Sequence, residues 1–185
     1  MSDNKYLNIV NEAGQIIGED SRENIHKNGL LHREVHVWFY TPQGEIILQH
    51  RGKNAETFPD LLYVTVGGHV EIGEDFEQAA LKEVQEETGV KLKISDLVLV
   101  YKAHAPIDTD TVTHKINNTI RAVYVYCYRG AIKDLQTEKG VGQGFEVWPL
   151  TRILNISNED RIKLIFSILK EPALGILKKI QTMIK

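Results

Sequence analysis

Gly68 to Val90, GHVEIGEDFEQAALKEVQEETGV, is the stretch on which the reading of the whole chain turns. Its second half carries the signals of one amphipathic helix. Asp75 suits an N-cap, with Gln78 three residues on to complete a capping box. Phe76, Ala80 and Val84 recur at i, i+4 spacing, and Ala79 and Leu81 widen that apolar stripe. Gly89 supplies the stop. On such a helix Glu83, Glu86 and Glu87 fall at i, i+3 and i+4, which stacks three carboxylates beside the buried face. Like charges so spaced repel, and local propensity does not call for them. A divalent cation turns that repulsion into binding. Magnesium, a hard ion held by carboxylates together with substrate phosphates, is the expected one.

Outward from the helix, the chain reads as a mixed sheet. Toward the N-terminus, Leu61–Val66 reads as a strand that Gly67-Gly68 breaks. Glu34–Tyr40 and Glu45–Arg51 form a hairpin around Thr41-Pro42-Gln43-Gly44. Residues 5–20 read as a smaller hairpin about Glu12-Ala13-Gly14, and residues 21–32 as a short helix or loop with His26. Toward the C-terminus, Leu97–Ala103 is a strand, residues 104–118 a long polar loop, and Thr119–Tyr128 an alternating strand. There Val123, Val125 and Cys127 point one way and Tyr124, Tyr126 and Tyr128 the other. Gly140–Gly144 reads as a flexible turn and Phe145–Leu150 as a last strand. From Asn158, residues Ile162, Ile165, Phe166 and Leu169 predict a helical stripe, interrupted at Pro172 and resumed by Leu174, Leu177 and Ile180. The fold class is α/β or α+β.

Composition narrows the function. The 185 residues suffice for one domain with a sizeable core. A net charge of −3 gives no basic field, which argues against a nucleic-acid surface and leaves small phosphorylated ligands open. The lone Cys127 excludes an internal disulfide framework and fits a reducing compartment. MSDNKYLNIVNE lacks the order of a signal peptide, and no apolar run approaches membrane-spanning length. The expectation is a cytoplasmic protein with no membrane or nucleic-acid partner.

Written as a pattern, the opening stretch is Gly68, five residues, Glu74, seven residues, Lys82-Glu83-Val84, one residue, Glu86-Glu87, one residue, Gly89-Val90. It closely resembles the Nudix box of MutT-type hydrolases. The resemblance implies an α/β/α sandwich with the box as loop–helix–loop, and hydrolysis of a nucleoside diphosphate linked to another moiety with magnesium or manganese. It implies Glu83, Glu86 and Glu87 as metal ligands, with a carbonyl of Gly67 or Gly68. The cation would neutralise diphosphate charge, act as a Lewis acid on phosphorus and acidify bound water. One of these glutamates, or a further carboxylate, would take that water's proton. Lys82 stands where the family has Arg. It keeps the charge, loses the bidentate fork, and at i+4 reaches Glu86. The resemblance thus marks Lys82, Glu83, Glu86 and Glu87 as the catalytic group.

The likeness extends over roughly residues 5–150. NEAGQIIG, GLLHREVHVWFY, GEIILQHR and FPDLLYVTVGGHV resemble the Nudix branch that includes type I isopentenyl-diphosphate isomerases. That enzyme uses a cysteine, a glutamate and a metal held by histidines and glutamates. Here the cysteine position is Gly67. His32 and His69 match two of the histidines, and His26 sits near a third. The later glutamates fall around Asn117 to Thr119, where there is no carboxylate. The isomerase box is eroded whereas this one is nearly complete, so the resemblance points to a hydrolase. A non-catalytic ligand-binding module is the other alternative.

Other residues have weaker claims. Arg51, Gly67, Gly68 and His69 are the expected substrate contacts. His32, His36 and His69, at or near strand ends, fit structural roles as readily as a second metal site. Trp38, Phe58, Tyr63 and the tyrosine row could stack on a base, although core packing is the commoner explanation. Cys127 reads as inert and Glu146 as a spare carboxylate. His104, Asp108, Asp110 and His114 crowd the long loop, a common place for specificity. The expected layout is a Nudix-type domain over residues 1–155, with its core about 30–155, and a helical tail over 156–185 packed on it. The apolar tail and the tyrosines suit a homodimer.

Overall fold

A computed structural model of the chain describes residues 6–55, 57–137 and 142–184. Its centre is a seven-stranded mixed sheet. Strand β3 (His32–Tyr40) pairs parallel with β10 (Thr119–Cys127), and β10 pairs antiparallel with β7 (Val98–His104). On its other side β3 pairs with β4 (Glu45–Arg51), and β4 with β11 (Gly142–Pro149). Two short strands, β5 (Leu62–Tyr63) and β6 (Val66–His69), pair with β4 and β3 respectively.

Both faces of this sheet are covered, which is why β3 and β10 are buried almost without interruption. Val35, Val37, Phe39, Ala122 and Tyr124 pack under helix α2 (Phe76–Thr88), against Ala79, Ala80 and Val84. Trp38, Tyr40, Val123 and Val125 pack on the opposite face, against Ile168 and helix α5 (Ala173–Met183) through Ile176, Leu177 and Ile180. The valine and tyrosine rows of β10 therefore divide between two cores. The N-terminal hairpin is present as β1 (Tyr6–Val10) and β2 (Ile16–Ser21), followed by helix α1 (Arg22–Asn28). Helix α2 has the expected capping box: Asp75 accepts from the Gln78 N–H at 2.8 Å, and Gln78 accepts from the Asp75 N–H at 3.0 Å. It ends at Gly89, whose φ of +72° is left-handed.

Four expectations are corrected. Gly67 and Gly68 do not break a strand; they lie in register inside β6, opposite His36 and Val35. The break comes at Thr65, whose hydroxyl accepts from the Phe39 N–H at 2.8 Å and donates to the Ile47 carbonyl. That side chain wedges β3 from β4, so β5 follows one strand and β6 the other. The long polar loop contains a small ladder, β8 (Asp108–Thr109) with β9 (Ile116–Asn117), and Asp110 at its turn is buried. The final strand begins at Gly142 rather than Phe145, and the rest of the expected glycine turn, residues 140–141, lies outside the described residues. The tail is not one continuous helix from Asn158 to Leu169; only its first and last turns are helical. After the short helix α3 (Leu150–Leu154), helix α4 (Asn158–Arg161) is one turn, and Leu164 and Ile165 are buried in succession because the chain there bridges β5: Leu62 N–H to Lys163 O at 2.8 Å and Ile165 N–H to Leu62 O at 3.0 Å. Ile162 and Phe166 are exposed.

Candidate functional site

The last two turns of α2 face a cavity of about 290 Å³. Glu83, Glu86 and Glu87 line it together with Arg51, Gly67, Gly68 and His69, so the fold brings these predicted residues to one place. Their environments differ. Glu86 is exposed. Glu87 is buried and accepts from the Gly67 N–H at 3.1 Å and from Gln49 Nε2 at 3.3 Å. Glu83 presses on Gly68 so closely that a Cβ there would lie 2.1 Å from its Cδ. Only glycine leaves room for that carboxylate.

Burial and mutual repulsion weaken these acids. Burial, then the Glu86 charge, pushes Glu83 up to about 7. Burial, then the Glu83 charge, pushes Glu87 up to about 8. At neutral pH the cluster holds protons that a cation would displace. The donor set, three carboxylates lining one cavity beside the backbone of β6, matches a hard divalent ion.

Lys82 stands apart. It does not line the cavity and does not pair with Glu86. Its Nζ bridges Glu71 at 2.6 Å and Glu74 at 3.2 Å. The loop before the helix supplies nearer carboxylates than the next helical turn does. Glu74 also accepts from the Glu71 N–H at 3.1 Å, so Lys82 staples the entry loop of the helix. Arg51 donates from Nε to Thr57 O at 2.9 Å and from Nη2 to Thr57 Oγ1 at 3.2 Å, which pins the loop after β4 at the cavity rim.

Across β6 from the glutamates lies a second polar cluster. His26 from α1, His32 opening β3 and His69 closing β6 bring ring nitrogens within 4.8 Å of one another. Burial holds all three below the usual imidazole range, with His26 at about 4. Glu34, buried, accepts from Arg121 Nε at 2.8 Å and Thr119 Oγ1 at 3.3 Å, and lies 3.4 Å from His36 Nε2. Burial alone would raise this acid, but Arg121, then His36, hold it well below the carboxylate range. Tyr63 OH meets His36 Nε2 at 3.1 Å.

Several sequence candidates fall away from the cavity. Trp38 and Tyr124 are buried, and Tyr126 and Tyr128 pack around Phe39, so none of them lines this cavity. Phe58 and Tyr63 do line the cavity. His36 is not at a strand end but inside β3. Glu146 caps Trp148 Nε1 at 3.0 Å instead of facing the site. His104 pairs with Asn118 at 2.7 Å. Asp110 acts in structure: its carboxylate accepts from the Phe58 N–H at 2.7 Å and ties the loop after β4 to the β8–β9 turn. Glu34 and Asn117 are cavity residues that sequence reasoning missed. The available signal for Glu34 was one acid inside an otherwise apolar strand.

The site thus consists of a carboxylate helix entered through a glycine strand, set against a mixed sheet between helices. The family profile described as the NUDIX domain matches residues 30–163, and the chain belongs to that family. It is similar to an uncharacterized Nudix hydrolase of Streptomyces coelicolor, 36% identical over 48% of this chain and 49% of that protein. The chain thus spans about half the length of that relative. An uncharacterized Nudix hydrolase of Clostridium acetobutylicum is 27% identical over 82% of this chain and 74% of its own length. Among solved structures, a protein of Deinococcus radiodurans aligns with a TM-score of 0.67 at 20% identity, covering 95% of this chain and 98% of its own. The NUDIX domain of Shewanella oneidensis NrtR, crystallised with ADP ribose, aligns with a TM-score of 0.53 at 17% identity, covering 84% of this chain and 88% of its own. These likenesses share the fold. Among the described residues no helix is long and apolar enough to cross a membrane.

Proposed function

We propose that the protein is a divalent-metal-dependent hydrolase that cleaves a pyrophosphate linkage in a small nucleoside-diphosphate-type substrate. The observation that carries this reading is the convergence of Glu83, Glu86 and Glu87 on one cavity, with two of them left partly protonated by burial and repulsion. Magnesium or manganese held there would supply charge neutralisation and an acidified water. Gly67 orients Glu87 through its N–H, and Gly68 clears the position of Glu83. One of the three glutamates takes the proton of the attacking water. Arg51, at the rim, is placed for a phosphate oxygen. The names of the Nudix hydrolase relatives and the ADP ribose bound by the Shewanella domain support this substrate class.

The histidine trio favours a second reading, kinship with the isomerase branch. Gly67 at the thiol position and Asn117 and Thr119 near the later glutamates argue against that chemistry, so no isomerisation of isopentenyl diphosphate is expected. The test is a screen of purified protein against nucleotides and pyrophosphorylated metabolites, ADP ribose included, with magnesium and manganese, reading phosphate release. Glu86→Gln and Glu87→Gln should each lower turnover at least ~100-fold. Turnover on no substrate, or full turnover in both variants, would sink the reading.

A further inference from the structure

The central sheet divides between β3 and β4. These strands pair at Phe39 with Ile47 and at Tyr40 with Ile46. Two residues further on, Val37 pairs with Val66 of β6 and Gln49 with Tyr63 of β5, although a continued ladder would set Val37 opposite Gln49. The Glu87 carboxylate, coming from α2, spans this division. Its Oε2 accepts from the Gly67 N–H of β6 at 3.1 Å and from Gln49 Nε2 of β4 at 3.3 Å. A carboxylate oxygen offers two lone pairs, so these two donors fill Oε2, and Oε1 takes neither. One bond would leave the carboxylate plane free to swing, because the last torsion of a glutamate is broad. A second donor, from the other strand, fixes it.

Gln49 does not itself line the cavity. It is 3% exposed and follows Ile46, Ile47 and Leu48, all fully buried. It shares a strand face with Ile47, which packs in the core under α2. An apolar side chain would suit that place, since burying an amide costs free energy unless a hydrogen bond offsets it. Here the offsetting bond goes to a carboxylate that does line the cavity. Whatever the amide of Gln49 adds to the site therefore passes through Glu87.

We propose that Gln49 is a positioning residue of the hydrolytic site: its amide holds Oε2 of Glu87 and so keeps Oε1 turned to the cavity. The inference rests on the hydrolase reading and adds to it a residue that no ligand touches. The test reads manganese affinity of the full chain by electron paramagnetic resonance, without substrate, beside kcat and KM on a substrate from the screen. Gln49→Met nearly keeps the volume and removes the donor. It should weaken manganese binding about 10-fold and lower kcat about 10- to 100-fold, with KM near wild type. A folded Gln49→Met with wild-type manganese affinity and kcat, beside a Glu87→Gln that loses both, overturns this inference and leaves the hydrolase reading standing. So does a change in KM alone. A wild-type chain that binds no manganese overturns both. If Gln49→Met lacks the wild-type circular dichroism, the side-chain amide resonances of Gln49 in the wild type decide. Held by Oε2, they stay in place as magnesium is added; a move to the position of an unbonded glutamine overturns the role.

Discussion

Replacing Gly68 with alanine isolates what the glycine pair does. An added Cβ would meet Glu83 at 2.1 Å from Cδ, 2.4 Å from Oε1 and 2.5 Å from Cγ. Ordinary carbon contacts are ~3.5–4.0 Å, so the carboxylate must retreat by more than ~1 Å. The backbone at Gly68 needs no left-handed conformation. What yields is the flexible end of Glu83, and moving it toward water relieves its burial. Stability should therefore change by less than ~1 kcal/mol. Function should not be spared. A misplacement of ~1 Å in a reacting assembly costs ~100-fold, or about 2.7 kcal/mol of barrier. Gly67→Ala is the internal control. A Cβ there would meet His36 Cδ2 at 3.4 Å and Val64 Cγ2 at 3.5 Å, ordinary contact, and the N–H that serves Glu87 is kept. The assay is kcat/KM at saturating magnesium on a substrate from the screen, with a thermal melt of each variant. Equal activity in the two variants, or wild-type activity in Gly68→Ala, would refute the claim that this glycine exists to make room for Glu83.

Three further outcomes follow from the same geometry. Glu83 and Glu87 have folded values raised from 4.5 to about 7 and about 8, so the stability they contribute is complete below pH ~4.5 and is lost as pH rises through 7 and 8. Between pH 6 and 9 the melting temperature should fall in chelator and fall much less in magnesium; parallel curves would count against the site. Lys82→Met should cost no more than about 1 kcal/mol, because its two ion pairs are partly solvated, and should lower turnover less than ~10-fold, because Lys82 does not line the cavity. A larger kinetic loss would restore Lys82 to the catalytic group. Glu34→Gln strands the Arg121 charge in the interior and should destabilise by about 3–5 kcal/mol in denaturant melts; a loss below ~1 kcal/mol would mean that Arg121 finds another partner.

Sequence and structure part company where long-range pairing decides. Helix α2 was legible to the residue because its signals are local: Asp75 and Gln78 cap each other within one turn, and Gly89 stops the next. The hairpin through Thr41–Gly44 was legible for the same reason. Gly67-Gly68 misled because glycine ordinarily weakens strands, whereas here the pair serves a contact from α2. Thr65 gave no local sign of its wedge, since its partners, Phe39 and Ile47, lie on two other strands. The tail misled because its apolar spacing fits a helix, and only the edge of β5 makes an extended segment of it. Within the site, the glutamates could be read from spacing alone. His26 could not be joined to His69, 43 residues away, until the fold brought them together.

Strand β6 explains why two clusters of opposite chemistry share one cavity. Successive strand residues point to opposite faces. The Cβ direction of Gly67 meets His36, on the face that bears Glu34, and that of Gly68 meets Glu83 under helix α2. His69, two residues after Gly67, returns to the first face and joins His26 there. The strand is thus a partition with carboxylates on one side and imidazoles on the other. Two of its four residues have no side chain, so the partition is only a backbone thick. A ligand in the cavity would lie within reach of both sides, of the acids through a hard cation and of the imidazoles directly. Filling Gly67 or Gly68 with a large side chain should separate the two sides even where each cluster keeps its own contacts.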